Sequence, residues 1–123
     1  MSEVNVSASE PRNRALFVLQ NHDEQFALMP FSIARTWIDD KGVDLALYLM
    51  YDAVQIVRKE VIEQRPDIKE AVDYLLSQGV PIYTCGFCSR ACQLNSDSYY
   101  PGIVIANRHI YYSLMMERKV VYY

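Results

Sequence analysis

Short apolar runs that alternate with helical segments are the feature of this sequence that most restricts its fold. Residues 15–19 read Ala-Leu-Phe-Val-Leu, a run without a polar side chain. A strand takes this form when both faces of a parallel sheet are covered. We predict five such strands, at 15–19, 43–50, 80–84, 102–106 and 120–123.

The segments between these runs carry the spacing of amphipathic helices. Helices are predicted at 23–40, with Gly42 at its end, at 66–79, and at 107–117, with Asn107 as its N-cap. The stretch 52–65 shows no clear period. In the first helix the apolar residues recur at Phe26, Met29, Ile33 and Trp37, and Pro30 favours a start there, with proline in the first helical turn. Strands that alternate with helices predict an α/β protein, a three-layer α/β/α sandwich with a mostly parallel five-stranded sheet.

Length and composition limit the class of protein. A chain of 123 residues, of which 51% are hydrophobic and 22% are charged, has enough apolar surface to bury a core. We therefore predict a single α/β domain at 14–123 and a flexible tail at 1–13, where the periodicity is lost. The net charge of −3 argues against a broad nucleic-acid interface.

The distribution of apolar residues predicts a cytoplasmic protein that does not enter a membrane. The first residues lack the basic and apolar regions of a signal peptide. The longest apolar run, at 45–51, is far shorter than the roughly 20 residues that a helix needs to span a bilayer.

The three cysteines, Cys85, Cys88 and Cys92, fall within eight positions directly after the third predicted strand. Such crowding excludes a disulfide framework, which needs cysteines in distant segments. If a helix begins at or just after Cys85, the three thiols share one helical face. A thiol in a first helical turn meets unpaired backbone N–H groups, which lower its pKa. Gly86 would let a substrate sulfur approach the backbone closely.

Three kinds of site are compatible with these residues. A thioredoxin-like dithiol would use Cys85 and Cys88, although the motif lies late in the chain. A metal or iron–sulfur site could recruit all three thiolates, with His109 as a fourth ligand. A persulfide carrier needs one exposed thiol of low pKa beside a second thiol, and this chemistry fits best. Cys92 is expected to pack in the core, and His22 and His109 to lie at the surface.

Four short segments, in a fixed order, add a family resemblance. The second predicted strand leads into Tyr-Asp-Ala-Val at 51–54, and 79–88 reads Gly-Val-Pro-Ile-Tyr-Thr-Cys-Gly-Phe-Cys. Tyr-Pro-Gly-Ile-Val at 100–104 and Val-Val-Tyr-Tyr at 120–123 follow. In this order and spacing, 14–123 resembles the DsrE/DsrF/TusD-like sulfur-relay family.

The resemblance implies a three-layer protein that assembles as a homotrimer or homohexamer and carries sulfane sulfur on a cysteine after its third strand. Cys85 matches that cysteine, and Cys88 matches a second one that many relatives have. The implied partners are a sulfur donor protein and an acceptor protein. Independently, six of the ten tyrosines fall in the last 25 residues, which favours an oligomer interface there.

These observations predict a cytosolic sulfur carrier or sulfurtransferase. It would hold sulfane sulfur as a persulfide of Cys85 and pass it to a partner protein, with Cys88 as a helper and without a cofactor or metal. The alternative is a non-enzymatic assembly or regulatory subunit whose cysteine cluster binds a metal or senses oxidation. Cys92 stands where many relatives have arginine, so its redox behaviour is expected to differ from theirs.

Overall fold

Five parallel strands form one sheet in the part of the protein that the computed structural model describes, residues 14–23 and 25–123. They are β1 (Arg14–Leu19), β2 (Asp44–Leu49), β3 (Ile82–Cys85), β4 (Val104–Ala106) and β5 (Lys119–Tyr122). The strands lie in the order β4-β3-β2-β1-β5, and every neighbouring pair is parallel. The predicted α/β class with a five-stranded sheet is confirmed, whereas the tail predicted at 1–13 lies outside the described residues.

Helices connect the strands and cover both faces of the sheet. They are α1 (Leu28–Lys41), α2 (Lys59–Glu63), α3 (Pro66–Ser77), α4 (Gly86–Ala91) and α5 (Arg108–Glu117), with 3₁₀ helices at Tyr51–Val57 and Ser96–Ser98. From β1 to β4 the chain moves in one direction across the sheet, and the connection from β4 to β5 returns past β1. Because such crossovers are right-handed, α5 lies on the opposite face of the sheet from α1 and α3. None of the helices in the described part of the chain combines the length and apolar character that a bilayer crossing requires.

The core lies on both faces of β1, whose residues alternate between two apolar clusters. Phe17 belongs to the cluster under α1 and α3, where it packs edge to face on Trp37 with 4.9 Å between ring centroids. Leu16 and Val18 belong to the cluster under α5. All of residues 15–19 are buried. The unbroken apolar run therefore follows from burial on both faces.

The ends of two helices follow the predicted signals. Gly42 ends α1 with a left-handed φ of 62°, and its N–H donates to the carbonyl of Trp37. Asn107 caps α5, and its side-chain oxygen accepts a hydrogen bond from the N–H of Ile110 at 2.9 Å. Both helices thus stop and start where local sequence chemistry predicts.

Two segments differ from the prediction. The stretch 52–65 is helical: it contains most of the 3₁₀ helix Tyr51–Val57 and all of α2. The 3₁₀ helix buries four side chains, Ala53, Val54, Ile56 and Val57. A 3₁₀ helix has about three residues per turn, so a search for the α-helical period does not find it. In α1, Phe26 and Met29 are 56% and 47% exposed, so the predicted apolar face is wrong at its start. The helix begins at Leu28, with Pro30 in its first turn as expected. It buries Pro30, Phe31 and Ala34, while Ile33 and Trp37 pack, partly buried, against the same core.

Val18→Ala is expected to destabilise the protein much more than Val104→Ala. Val18 is 0% exposed in the inner strand β1, whereas Val104 is 48% exposed in the edge strand β4. Loss of two buried methyl groups, with the cavity that remains, costs about 2–3 kcal/mol at Val18 and less than about 1 kcal/mol at Val104. Chemical denaturation measures both free energies of unfolding, and equal losses would contradict the interior position of β1.

Candidate functional site

Cys85 is both the last residue of β3 and the N-cap of α4. It therefore lies at the strand-to-helix turn that the sequence predicts. Its backbone is extended, with φ −64° and ψ 127°. Its Sγ accepts a hydrogen bond from the N–H of Cys88, with 3.3 Å between sulfur and nitrogen. The sulfur thus takes the capping role that an oxygen more often has, and satisfies a donor that the first helical turn leaves free.

A short chain of hydrogen bonds fixes this turn. Ser89 Oγ donates to the carbonyl of Cys85 at 2.7 Å. Since a hydroxyl has one proton to donate, the Tyr99 hydroxyl is the donor in its 2.6 Å contact with Ser89 Oγ. Ser89 and Tyr99 are buried, so the chain ties α4 firmly to the end of β3.

Gly86 brings α4 into close contact with β4. A Cβ at this position would lie 2.9 Å from the carbonyl oxygen of Ala106. The expectation that Gly86 leaves room for a substrate sulfur is therefore wrong, because backbone from β4 occupies that space. Glycine is needed here for the packing of the helix on the strand.

Cys88 lies beneath the turn and is 7% exposed. Its Sγ accepts a hydrogen bond from the N–H of Tyr51 at 2.9 Å, which joins α4 to the segment that follows β2. Tyr51 has φ 55°, a left-handed conformation that residues other than glycine seldom adopt. The ends of two neighbouring strands therefore meet at the thiols.

The two thiols differ in acidity. Partial burial raises the pKa of Cys85, but hydrogen bonds from the Tyr48 hydroxyl and the Cys88 N–H outweigh it and bring the pKa below that of an ordinary cysteine. Burial and the hydrogen bond to Cys85 raise the pKa of Cys88 to about 11, although the Tyr51 N–H opposes this. At neutral pH, Cys85 has the larger thiolate fraction and Cys88 stays protonated.

Tyr48 of β2 is a site residue that sequence reasoning missed. It pairs with Tyr83 in the register of β2 and β3, two residues before Cys85 on the same face of the sheet. Cys85 packs against the cluster that contains Tyr48, and the Tyr48 hydroxyl is among the groups that lower the pKa of Cys85. The one sequence signal that could have identified Tyr48 is that it carries the single hydroxyl within the apolar run 45–50.

The remaining candidate ligands do not join this site. Cys92 ends α4 and packs, partly buried, against the core, as predicted. His22 lines a groove of about 640 Å³ beyond the end of β1, together with Phe26 and Asp52. His109 is exposed in the first turn of α5. Within residues 14–23 and 25–123, no three Cys, His, Asp or Glu side chains converge as a metal-ligand set.

Iodoacetamide is expected to modify Cys85 before Cys88 between about pH 7 and about pH 9, because the thiolate is the reactive form. As the pH is raised, the labelling rate of Cys85 reaches its plateau at a lower pH than the labelling rate of Cys88. The rate at Cys88 continues to rise toward the pKa of that thiol, about 11. Cleavage after Phe87 separates the two cysteines, so mass spectrometry can measure each rate. Protein unfolded in guanidinium, in which the two rates converge, is the control, and faster labelling of Cys88 in the folded protein would contradict the assignment.

Comparison with known proteins identifies the fold and the family. The family model described as DsrE/DsrF-like matches residues 14–119. The YchN protein from E. coli has a similar structure, with a TM-score of 0.77 and 20% identity over 89% of this chain and 98% of that chain. MTH1491 from Methanobacterium thermoautotrophicum has a TM-score of 0.73 and 22% identity over the same shares, 89% and 98%. At these identities the two structures show a common fold.

A sequence relative adds a shorter match. The uncharacterized protein MK0008 of Methanopyrus kandleri is 26% identical over 70 residues, which is 56% of this chain. The match spans 58% of the length of that protein. The family model covers nearly all of the residues that build the sheet and the cysteine turn, and this chain therefore belongs to the DsrE/DsrF-like family.

Proposed function

We propose that this protein is a sulfur carrier or sulfurtransferase that holds sulfane sulfur as a persulfide of Cys85 and passes it to a partner protein. The observation that carries the proposal is the pairing of a partly exposed thiol of lowered pKa, Cys85, with a buried thiol of raised pKa, Cys88. Membership of the DsrE/DsrF-like family supports it, since sulfur relay is the activity associated with that family.

Loading and discharge are both thiolate displacements. In loading, the Cys85 thiolate attacks the outer sulfur of a donor persulfide, and the donor S–S bond breaks with its electron pair on the donor thiolate. In discharge, an acceptor thiolate attacks the outer sulfur on Cys85, and Cys85 leaves as the thiolate. A lowered pKa helps both steps, because it raises the thiolate fraction of Cys85 and makes that thiolate a better leaving group.

Cys88 is proposed to shield the persulfide more than to consume it. Attack of a Cys88 thiolate on Cys85 Sγ would form a Cys85–Cys88 disulfide and release hydrogen sulfide. Burial, together with a pKa of about 11, keeps Cys88 protonated at neutral pH and makes this resolving step slow. A persulfide on Cys85 therefore has time to meet an acceptor.

The proposed partners are a sulfur donor protein and an acceptor protein in the cytoplasm. Phe87, between the two cysteines, is 73% exposed, and Tyr51 is 58% exposed. Aromatic side chains supply contact area at a small loss of conformational entropy, so they suit a surface that meets partner proteins. Their position beside Cys85 would bring a partner thiol to the sulfur.

A homotrimer or homohexamer is the proposed assembly. On α5, Tyr112 and Met116 are 65% and 68% exposed, and Tyr122 of β5 is 56% exposed. Large apolar side chains that one chain leaves exposed together are typical of contact surfaces. We place the contact between copies on this side of the sheet.

A regulatory subunit with a metal-binding or redox-sensing cysteine cluster is the alternative function. A closed metal site generally needs several side chains around one point. The residues described by the structure gather no such group of three, so the geometry favours sulfur transfer over metal binding.

Incubation with polysulfide is expected to add sulfur to Cys85, because its thiolate is the accessible nucleophile. Mass spectrometry of the intact protein measures the adduct. Cys85→Ala loses it, whereas Cys88→Ala still accepts the first sulfur. Cys92→Ala is the matched control and loads like the wild type; equal adducts on wild type and Cys85→Ala would refute the carrier assignment.

Light scattering is expected to give a mass of three or six copies of the 14.3 kDa chain. Met116→Glu places a charge on the exposed side of α5 and shifts the mass toward the monomer, because a buried charge without a partner is costly. Met29→Glu, at a position 47% exposed on α1, leaves the assembly intact. A wild-type protein that stays monomeric at all concentrations would contradict the proposed assembly.

A further inference from the structure

Tyr48 is enclosed in the apolar layer between the sheet and α5. It is 3% exposed and belongs to the same buried cluster as Leu16 and Val18. Its ring packs on Tyr111 of α5, with 4.8 Å between ring centroids and 40° between ring planes. A ring held by a strand on one side and by a helix on the other directs its hydroxyl to one place.

That place is the end of β3, where Cys85 lies. Tyr48 pairs with Tyr83, and Cys85 follows two residues later on the same face, so Tyr48 and Cys85 are diagonal neighbours on adjacent strands. An aromatic side chain can reach across such a diagonal. Cys85 packs against the cluster that contains Tyr48, and the interaction of the two side chains raises the pKa of Tyr48 and lowers the pKa of Cys85.

The other titratable groups around Cys85 supply different interactions. Cys88 of α4 contributes its backbone N–H and its thiol, which lower the pKa of Cys85. Tyr111 of α5 interacts electrostatically with Cys85, but burial raises its pKa and its phenol is neutral at pH 7. Arg90 of α4 turns back toward the same turn, with Nη1 3.6 Å from the position that a Cβ of Gly86 would take. All of these contributions persist when the hydroxyl of Tyr48 is removed.

We propose that Tyr48 is a positioning residue for sulfur transfer, whose hydroxyl donates a hydrogen bond to the Sγ of Cys85 before loading and again during discharge. The proposal rests on the proposed function of Cys85. During discharge the nucleophile takes the outer sulfur, the S–S bond breaks, and its electron pair stays on Cys85 Sγ. A hydrogen bond to this developing thiolate stabilises it more than it stabilises the neutral sulfur. Because burial raises the pKa of Tyr48, the phenol keeps its proton throughout.

Tyr48→Phe tests the proposal, since it keeps the ring and removes the hydroxyl. Iodoacetamide labelling of Cys85 at a series of pH values measures the thiol pKa without any sulfur donor. We expect the midpoint to rise by about one pH unit and the rate at neutral pH to fall by up to about tenfold. Tyr74→Phe, on α3 with its hydroxyl bonded to Asp39, is the matched control and keeps the wild-type midpoint.

Tyr111→Phe is a second control, because it removes a neighbouring hydroxyl and keeps the ring that packs on Tyr48. The Tyr48 hydroxyl stays in place, so the midpoint of Cys85 labelling stays at the wild-type value.

Incorporation of 3-fluorotyrosine at position 48 gives a stronger hydrogen-bond donor of nearly the same shape. We expect it to move the midpoint to lower pH, which keeps the proposal testable should Tyr48→Phe unfold.

Discharge is measured with cyanide, which takes the outer sulfur as thiocyanate and releases the Cys85 thiolate. After loading with polysulfide, Tyr48→Phe is expected to release thiocyanate several-fold more slowly than the wild type and Tyr74→Phe. A folded Tyr48→Phe with the wild-type midpoint, or with the wild-type rate of thiocyanate release, overturns the proposal. The proposed function fails by a different result, equal polysulfide adducts on wild type and Cys85→Ala, which leaves the midpoint measurement intact.

Discussion

Burial of β1 and β2 on both faces is the constraint on which the rest of this structure depends. Strands without a polar face need helices on either side, so the chain must cross over the sheet between strands, and crossover connections make neighbouring strands parallel. In a parallel sheet all carboxyl ends lie at one edge. Cys85, the segment that begins at Tyr51 and the groove beyond β1 are therefore at the same edge.

The difference between the two thiols follows from the layers that they enter. Cys85 ends a strand and stays partly exposed beside Tyr48, in contact with the clusters on both faces of the sheet. Cys88 lies one helical turn later and is buried within the cluster under α1 and α3, where it accepts a hydrogen bond from the N–H of Tyr51. Cys85 thus gains hydrogen bonds that favour its charged form, and Cys88 loses the solvent that would stabilise its charged form.

Local patterns were sufficient for most of the elements. The strands could be predicted from unbroken apolar runs, and α5 from its Asn107 cap, because these signals need only neighbouring residues. The 3₁₀ helix at Tyr51–Val57 was missed because its period differs from that of an α-helix. The role of Gly86 was misjudged for another reason: the atom that requires glycine there is the Ala106 carbonyl oxygen, and no local pattern brings α4 to β4.

The sequence alone determined the α/β class, the five strands, the family and the position of Cys85 at the end of a strand, because hydrophobic period and short motifs encode these features directly. The groups that surround that thiol are set by the packing of segments that are distant in the sequence. The register of β2 and β3 brings Tyr48 beside Cys85, and the N–H of Tyr51 reaches Cys88 from 37 residues away. Register and helix placement depend on how all the apolar faces pack together, and an apolar pattern in one segment does not specify its partner in another.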